Sequence, residues 1–362
     1  MKIFVICNSL GRGGAERVGV NLANGFVGHG HEVCIVTDVH QKKSYPTDAR
    51  IKLLPLYGKN EGKIQRWGHA VSNIRKYAKQ EKPDCIIGIM HLASIVAWLG
   101  CKGLHIPVIL CIHHAVERIK SEQLDGVTKF FDQQISKIYR HVAVLTQADR
   151  AFLHNRKGIF VMPNPASFTT VETIPQKEKV LIAAGHVGRW HYKGFDVLVE
   201  AWGKISKKYP DWKLQLAGTG EPKDMDFIKS LMEKYHVEDS MELLGYRTDM
   251  EQLFQKASIF VLSSRSEGLP MVLIEAMSQG CAPVATDFKG RTREIIPTEG
   301  EGILCNPEDA EALAAGMQRL IEDDALRQNI QRNAAERSKY YALDNIVGMW
   351  EKVLLQCTMH NA

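Results

Sequence analysis

Two glutamates, Glu267 and Glu275, flank the start of an apolar segment that is expected to form a helix after a buried strand. Pro270 suits the first turn of that helix, whose amide groups around Gly268 and Leu269 would be open to anionic oxygens. Carboxylates accept hydrogen bonds from pairs of hydroxyl groups, so two of them at this separation suit sugar recognition. A structural role for Glu275, as an acid buried with a partner, stays open beside this interpretation.

Two cations, Arg189 and Lys193, stand in residues 185–194, GHVGRWHYKG, after another predicted strand. An arginine can hold phosphate oxygens through two parallel hydrogen bonds, and a lysine adds a compact charge. A departing nucleoside diphosphate needs such groups, because negative charge builds on it as a glycosidic bond breaks. Surface cations are common, so this pair indicates a diphosphate site only in combination with the segment that carries Glu267.

A glycine-rich segment, residues 11–17 with the sequence GRGGAER, follows the first predicted strand and opens a helix. Gly13 and Gly14 would let another group approach the backbone, and the helix N-terminus favours negative charge. A dinucleotide-binding fingerprint would need a third glycine where Glu16 stands, and Asp38 alone does not supply its acidic partner. The pattern therefore disfavours NAD binding and leaves a purely structural turn as the alternative.

Two further loops after predicted strands carry small or titratable residues. Residues 217–221, AGTGE, place Gly218 where the backbone could be approached closely, although a plain tight turn would have the same sequence. Another strand ends in His113 and His114, and a histidine near neutrality can assist a developing oxyanion or accept a proton. A structural role is open for either histidine. A zinc site would need a third ligand at a sensible spacing, and none is evident.

These motifs all follow apolar segments that alternate with helical patterns. The predicted strands cover residues 2–7, 32–37, 51–56, 84–89, 107–112, 141–146, 158–162, 179–184, 213–217, 241–244, 258–262, 282–285 and 302–304. Strands that are apolar throughout are buried on both faces, which indicates parallel sheets covered by helices. We expect two doubly wound α/β domains in tandem that face a cleft, with ligands at the carboxyl ends of the strands.

The length of 362 residues fits two domains. Residues 163–179 contain three prolines and no clear element, so we interpret them as an interdomain linker. The predicted domains are residues 1–167 and 168–341, followed by a helical C-terminal segment. No apolar stretch approaches the ~20 residues that span a bilayer, and the N-terminus is typical of a first strand rather than a secretory signal.

The charge is distributed unevenly between the halves. The net charge is +5, but residues 1–167 hold 23 lysines and arginines against 12 acidic residues, and the remainder has an acidic excess. This imbalance predicts an anionic surface or acceptor for the first half, while the absence of a recognisable binding motif argues against nucleic acid. Part of the excess is one basic stretch, which a solvated helix face would also explain: Lys59, Lys63, Arg66, Arg75, Lys76, Lys79 and Lys82.

With these motifs in place, nearly the whole chain resembles the retaining glycosyltransferases of family 4, which have the GT-B fold of two Rossmann-like domains. The resemblance is carried by residues 13–17, 188–194, 217–221 and most specifically by the Glu-x7-Glu motif of 267–275. It implies that Arg189 and Lys193 bind the donor diphosphate and that Glu275 binds the donor ribose. Glu267, with the amides near Gly268 and Leu269, would contact the transferred sugar.

The resemblance assigns further roles. Gly14, beside Gly13, would let the diphosphate come close to the first domain, and Tyr246 and Arg247 would hold the base through their backbone. His113 would contact the sugar near the reaction centre, although His114 leaves that assignment open. The final helix, residues 342–362, would pack back on the first domain. The family needs no metal, which agrees with cations neutralising the diphosphate.

The implied enzyme is a hexosyltransferase that moves a hexose or N-acetylhexosamine, with UDP-sugar as the commoner donor, to a lipid-linked or polysaccharide acceptor in cell-surface glycan synthesis. We expect no cofactor, and a cytoplasmic location with peripheral association at the inner face of an anionic membrane. The sequence offers no obvious carboxylate nucleophile, which favours attack of the acceptor hydroxyl on the same face as the leaving phosphate. A nucleotide-sugar epimerase and a non-catalytic nucleotide-sugar binding protein are the alternatives.

Overall fold

A computed structural model describes residues 1–11, 13–59, 61–116 and 138–359, and only the backbone of residues 63 and 64. The chain divides into two compact units. The first unit contains Met1–Pro165 and Leu343–Ala362, and the second contains Ala166–Ala342.

Within its described residues, the first unit contains a sheet of seven parallel strands in the order β3-β2-β1-β4-β5-β6-β7. The strands are β1 (Lys2–Ile6), β2 (Glu32–Thr37), β3 (Lys52–Pro55), β4 (Cys85–Ile89), β5 (Val108–Cys111), β6 (His141–Val144) and β7 (Ile159–Val161). The accompanying helices are α1 (Gly14–Gly28), α2 (Lys63–Glu81), α3 (Met90–Cys101) and α4 (Gln147–Phe152). Separate apolar clusters pack on the two faces of the sheet, as the apolar strands predict.

The second unit contains six parallel strands in the order β10-β9-β8-β11-β12-β13. The strands are β8 (Glu178–Ala184), β9 (Lys213–Ala217), β10 (Met241–Gly245), β11 (Ala257–Leu262), β12 (Ala282–Thr286) and β13 (Ile303–Cys305). The helices are α5 (Trp190–Lys193), α6 (Phe195–Ile205), α7 (Pro222–Tyr235), α8 (Met250–Lys256), α9 (Met271–Ser278), α10 (Arg291–Ile295), α11 (Ala310–Glu322) and α12 (Asp324–Ser338). The prediction of two doubly wound parallel-sheet domains is therefore confirmed, with every predicted strand present.

The last helix, α13 (Leu343–Met359), belongs to the first unit and packs against α1. The two helices approach closely at Gly25, where a Cβ would stand 2.5 Å from the Val347 side chain. Polar contacts add to this packing, because the Glu351 carboxylate lies 2.8 Å from His31 and 3.3 Å from His29. The first unit is consequently built from two separate parts of the chain.

The segment expected to be a linker is instead bonded to the second unit from residue 166 onward. The Ala166 amide donates to the Tyr341 carbonyl at 2.7 Å, and the Val171 amide donates to the Ser278 carbonyl at 2.9 Å. The Lys177 ammonium donates to two backbone carbonyls, at 2.9 and 2.7 Å. The boundary between the units therefore lies inside the predicted linker, at Pro165, but the residues from 166 onward belong to the second unit. Prolines exclude regular structure without preventing their neighbours from finding hydrogen-bond partners.

None of the described helices is both long enough and apolar enough to cross a membrane. All eight cysteines are buried free thiols. Burial raises the pKa of these thiols, to about 12 for Cys7 and about 11 for Cys281, so they behave as small apolar side chains.

Candidate functional site

The loops that follow β8, β9 and β10 are held side by side at the carboxyl edge of the second sheet. The Gly185 amide donates to the Ala217 carbonyl at 2.9 Å, and the Gly218 amide donates to the Gly245 carbonyl at 2.8 Å. Gly218 has a φ of 154°, and a Cβ there would stand 1.8 Å from the Gly185 carbonyl oxygen. The close approach predicted at Gly218 is therefore made by a neighbouring loop, and its contact with a donor stays a prediction.

Lys193 and Glu267 form an ion pair at this edge, with 2.6 Å between Nζ and Oε1. The Ser264 hydroxyl donates to the same carboxylate oxygen at 2.9 Å, and the Ser263 hydroxyl donates to the Lys193 carbonyl at 2.8 Å. Each charged side chain of the pair is less than one-fifth exposed. Among the residues the structure describes, Glu267 Oε2 has no hydrogen-bond partner, so one carboxylate oxygen is fixed and the other is open to a ligand hydroxyl.

Arg189, the other predicted phosphate ligand, ends the 3₁₀ turn Val187–Arg189 directly before α5. Its side chain is exposed, and it forms no ion pair with any residue in the described ranges. The two predicted cations therefore differ, since Lys193 is already held by a carboxylate while the Arg189 guanidinium remains available to an anion.

Arg265 fixes the loop after β11 to α5 and α6, a role that sequence reasoning missed. Its backbone amide donates to the Tyr192 carbonyl at 2.8 Å, and its guanidinium donates to Asp196 at 2.7 and 2.9 Å. Hydrogen bonding to Asp196, with a further contribution from Glu308, raises the pKa of Arg265. This clamp holds Lys193 and Glu267 together, because Lys193 directly follows Tyr192 and Glu267 lies two residues after Arg265.

The turn after Lys193 needs glycine, which gives a testable prediction. Gly194 has a φ of 63°, and a Cβ there would stand 1.9 Å from the Ser263 carbonyl oxygen. We expect Gly194→Ala to lower the free energy of unfolding by about 3 kcal/mol, from left-handed strain and forced displacement of that carbonyl. Gly290→Ala is the matched control, because Gly290 has a φ of 78° with nothing within 4 Å, and should lose about 1 kcal/mol. Urea titrations measure the loss of stability in both variants, and equal losses would show that the Ser263 carbonyl does not obstruct a side chain at position 194.

Helix α9 begins one residue later than predicted. Pro270 precedes the helix rather than occupying its first turn, and its carbonyl accepts the Leu273 amide at 3.0 Å. This shift leaves Gly268 half-buried and Leu269 buried in the loop that carries Glu267. Glu275 is buried on α9, as its apolar neighbours predict, and its binding of a ribose stays a prediction.

The loop after β10 contains Tyr246 and Arg247, the predicted base-binding segment. Tyr246 is largely exposed, and the Arg247 guanidinium donates to Asp249 from Nε at 2.8 Å and from Nη2 at 2.5 Å. This contact raises the pKa of Arg247 and lowers that of Asp249. The guanidinium is thus directed to a neighbour, which agrees with a segment that would recognise a base through backbone groups.

In the first unit, Gly13 immediately precedes α1 and Gly14 begins it. The Tyr45 hydroxyl donates to the Gly13 carbonyl at 3.1 Å and accepts from its amide at 3.4 Å, a contact that the sequence did not predict. A Cβ on Gly13 would collide with the Glu16 carboxylate, whereas one on Gly14 would meet nothing within 4 Å. Open space therefore lies at Gly14, the glycine expected to admit a diphosphate.

His113 follows β5, and its Nδ1 lies 2.9 Å from the Asn164 amide oxygen. That oxygen only accepts, so Nδ1 is the donor in the neutral ring and Nε2 carries the lone pair. Nε2 is buried and has no hydrogen-bond partner within the described ranges. Burial lowers the pKa of His113 to about 4, with Asn164 opposing and His114 reinforcing the shift. The His114 ring packs 5.3 Å from that of His91, and the choice of His113 over His114 as the histidine of the site stays a prediction.

The described residues contain no group of three or more histidine, cysteine, aspartate or glutamate side chains suited to holding a metal ion. The structure brings together Lys193, Glu267, Gly268 and Leu269, and it joins the Gly218 loop to the Tyr246 loop. Gly13, Gly14 and His113 lie at the carboxyl ends of strands in the first unit.

Comparison with known proteins places this arrangement in a family. The model for glycosyl transferases group 1 matches residues 167–337, and the model for Glycosyltransferase Family 4 matches residues 12–167. The chain belongs to glycosyltransferase family 4 and is a transferase with the GT-B fold. This confirms the resemblance based on the glycine-rich segment and the Glu-x7-Glu motif.

Individual relatives match over nearly their full length. The chain is 26% identical to the amylovoran biosynthesis glycosyltransferase AmsD of Erwinia amylovora, covering 98% of this chain and 99% of the relative. It is 24% identical to the GalNAc-α-(1→4)-GalNAc-α-(1→3)-diNAcBac-PP-undecaprenol α-1,4-N-acetyl-D-galactosaminyltransferase of Campylobacter jejuni, covering 98% and 99%. A TarM mutant of S. aureus, solved with Fondaparinux, alpha-GlcNAc-glycerol and UDP, superimposes with a TM-score of 0.77 at 16% identity, covering 98% and 99%.

Proposed function

We propose that this transferase moves a hexose or N-acetylhexosamine from UDP-sugar to a lipid-linked or polysaccharide acceptor, with retention at the anomeric carbon. The observation that carries the proposal is the Lys193–Glu267 ion pair at the carboxyl edge of the second sheet. The Lys193 ammonium would bind the departing phosphate, and the Glu267 carboxylate would bind hydroxyl groups of the transferred sugar. The two groups lie 2.6 Å apart, so the pair provides one ligand for each side of the bond that breaks.

Arg189 and Lys193 are the proposed ligands of the donor diphosphate. The Arg189 guanidinium is exposed and lacks an ion pair among the described residues, so it can turn to two phosphate oxygens. Lys193 is held in place by Glu267 before the donor arrives, which limits the reorganisation needed as negative charge develops on the leaving group. Together they would supply the neutralisation that a divalent cation provides in other sites.

Glu267 and His113 are the proposed ligands of the transferred sugar. The open Oε2 of Glu267 accepts from a sugar hydroxyl, with the amides of Gly268 and Leu269 donating nearby. His113 offers its Nε2 lone pair as a second acceptor, because its ring is neutral at physiological pH. Glu275 would bind the ribose, and the backbone at Tyr246 and Arg247 would bind the base.

We propose that retention occurs without a covalent intermediate on Glu267. Retaining glycosidases place a nucleophilic carboxylate ~5 Å from their acid, whereas Glu267 is tied to Lys193 and Ser264 as a positioning group for the sugar. We therefore favour attack by the acceptor hydroxyl on the face that the phosphate leaves, with a phosphate oxygen taking the hydroxyl proton. An α-linkage, as in the name of the Campylobacter relative, would be the retained outcome if the donor is an α-linked UDP-sugar.

The donor and acceptor classes are supported by the same comparisons. TarM was solved with UDP, and the Campylobacter relative is named for N-acetyl-D-galactosamine transfer to an undecaprenol-linked glycan. The basic excess of residues 1–167 supports an acceptor that carries phosphate, and peripheral association with anionic lipid at the cytoplasmic face.

A cavity of about 340 Å³ in the first unit suits the acceptor sugar. Its walls include Asn8, whose Oδ1 is buried without a hydrogen-bond partner in the described part of the chain, and Trp67, which is 43% exposed. Arg66 also lines it, fixed by Asp38 at 2.7 Å and stacked 4.2 Å over Tyr57. An aromatic face beside polar groups of fixed position is suited to a sugar ring.

We expect Trp67→Ala to raise the KM for acceptor about tenfold while leaving slow donor hydrolysis unchanged, since about 1.4 kcal/mol of ring stacking is lost. Trp67→Phe retains an aromatic face and should change the acceptor KM less than threefold. Initial rates with varied acceptor and donor measure both quantities. A rise in donor KM in place of acceptor KM would place Trp67 outside the acceptor site.

The proposed function is tested by donor binding followed by product analysis. A UDP-sugar at 100 times its Kd should add about 2.7 kcal/mol of stability in a thermal-shift screen, whereas GDP- and ADP-sugars should add little. NMR of the product should show the anomeric configuration of the donor, and an inverted linkage would refute retention. Release of a free sugar isomer without acceptor would favour an epimerase, and donor binding without transfer to any acceptor would favour a non-catalytic binding protein.

A further inference from the structure

A groove of about 860 Å³ runs along the free edge of the first sheet. Strand β7 is the last strand of that sheet and contributes Ile159, Phe160 and Val161 to the lining. Helices α4 and α13 contribute further lining residues. The groove is separate from the cavity with Trp67 and shares no lining residue with it.

The described lining of this groove contains five cations and no carboxylate: Arg140, Arg150, Arg156, Lys157 and Lys352. Arg150, Lys157 and Lys352 form no ion pair with any described residue, and Arg150 Nε is buried without a hydrogen-bond partner there. Elsewhere in the same unit a lysine such as Lys2 is bonded to Glu81 at 2.8 Å. The positive charge of Arg150, Lys157 and Lys352, gathered in a concave site, attracts an anion.

The apolar part of the groove distinguishes a lipid from a small anion. Phe160, Val161 and Met349 are only half-buried, so they leave an apolar surface beside the cations. On α13, Leu355 is 48% exposed and Met359 is 73% exposed, and both lie on the helix face that carries Lys352. Exposed large apolar residues gathered beside a basic site are expected where one ligand carries both charge and hydrocarbon.

We propose that this groove binds the phosphate headgroup of an anionic membrane lipid, with Arg150, Lys157 and Lys352 holding the phosphate. Phe160, Met349 and the exposed α13 residues contact the hydrocarbon next to the headgroup. The inference rests on the proposed association with anionic lipid and gives that association a site. It places the contact with lipid at β7 and α13 rather than at the basic stretch of residues 59–82.

The test measures binding of the full chain to vesicles of phosphatidylcholine with 30% phosphatidylglycerol, compared with pure phosphatidylcholine. R150Q/K157Q/K352Q should bind the anionic vesicles about 100-fold more weakly than the wild type, at about fivefold for each basic residue. The matched control is K59Q/K76Q/K79Q, which removes the same charge from exposed positions of the basic stretch and should lose less than threefold. Far-UV circular dichroism and donor thermal shifts should be unchanged in both variants.

The outcomes distinguish lipid binding in the groove from the broader proposal of membrane association. A wild type that ignores anionic lipid would remove membrane association altogether, while loss in the control but not in the groove variant would overturn the groove alone. Dihexanoyl phosphatidic acid should displace the protein from vesicles at concentrations at least tenfold lower than glycerol phosphate. Equal competition by glycerol phosphate, or binding of an acidic peptide without binding of vesicles, would overturn the lipid assignment.

Discussion

Lys193→Gln is expected to lower kcat by about 10²–10³-fold, because one fixed cation at the developing charge of a leaving group supplies about 3–4 kcal/mol. The change removes the ammonium that lies 2.6 Å from Glu267 and keeps most of the side-chain volume. Steady-state release of nucleoside diphosphate measures the rate. Lys204→Gln is the control in the same unit, since Lys204 pairs with Glu311 at 2.8 Å on the surface of α6 and should retain full activity.

A double-mutant cycle with Glu267→Gln examines the pair itself. Glu267→Gln should also reduce kcat strongly, because a carboxylate that accepts from Lys193, Ser264 and a sugar hydroxyl becomes an amide that cannot accept equally. Since the two side chains are in contact, the double variant should lose less than the sum of the single losses, with a coupling of about 1–3 kcal/mol. Additive losses would show that Lys193 and Glu267 act at separate points of the reaction.

His113→Ala is expected to lower kcat by about 100-fold, because it removes the Nε2 acceptor proposed for the transferred sugar. His113→Gln places an amide oxygen near the same position and should recover part of the loss. His40→Gln, at an exposed histidine of the same unit, should leave kcat unchanged. Wild-type rates from His113→Ala would exclude the residue from the sugar site.

The pH dependence follows from the lowered pKa of His113, which is about 4 against an ordinary value of 6.5. Protonation of Nε2 removes its lone pair, so the rate should be level down to about pH 5 and fall as pH approaches 4. Asn164→Asp should move this fall to higher pH, because a carboxylate beside Nδ1 raises the pKa of the ring. NMR titration of the His113 ring gives the pKa directly, and a value near 6.5 would contradict the predicted profile.

The same shift affects stability. The unfolded chain binds a proton at His113 below about pH 6.5, while the folded chain does so only near pH 4, so burial of this neutral ring lowers stability as pH falls through that window. Above pH 6.5 the effect is absent. His113→Gln should therefore reduce the acid sensitivity of the first unit, as measured by urea titrations at pH 5 and pH 7.

The sequence by itself determined the positions of the strands, the class of fold and the family. Residues 32–37 are mainly apolar and form a strand with those limits, and residues 213–217, in which Lys213 and Gln215 alternate with apolar residues, do the same. Such patterns can be recognised locally, because a parallel strand that is buried on both faces has apolar residues along its own length. The Glu-x7-Glu motif likewise identified a loop and a helix after β11, since both lie within one short stretch.

Tertiary structure alone decided which of the predicted residues meet. Lys193 follows β8 and Glu267 follows β11, but the strand order places β11 directly beside β8, which joins their loops through the Arg265 clamp. The same kind of long-range packing bonded residues 166–179 to the second unit and left an acceptor atom of His113 unused. The periodicity of the sequence does not predict these contacts, because they depend on the order of strands in the sheet rather than on neighbours along the chain.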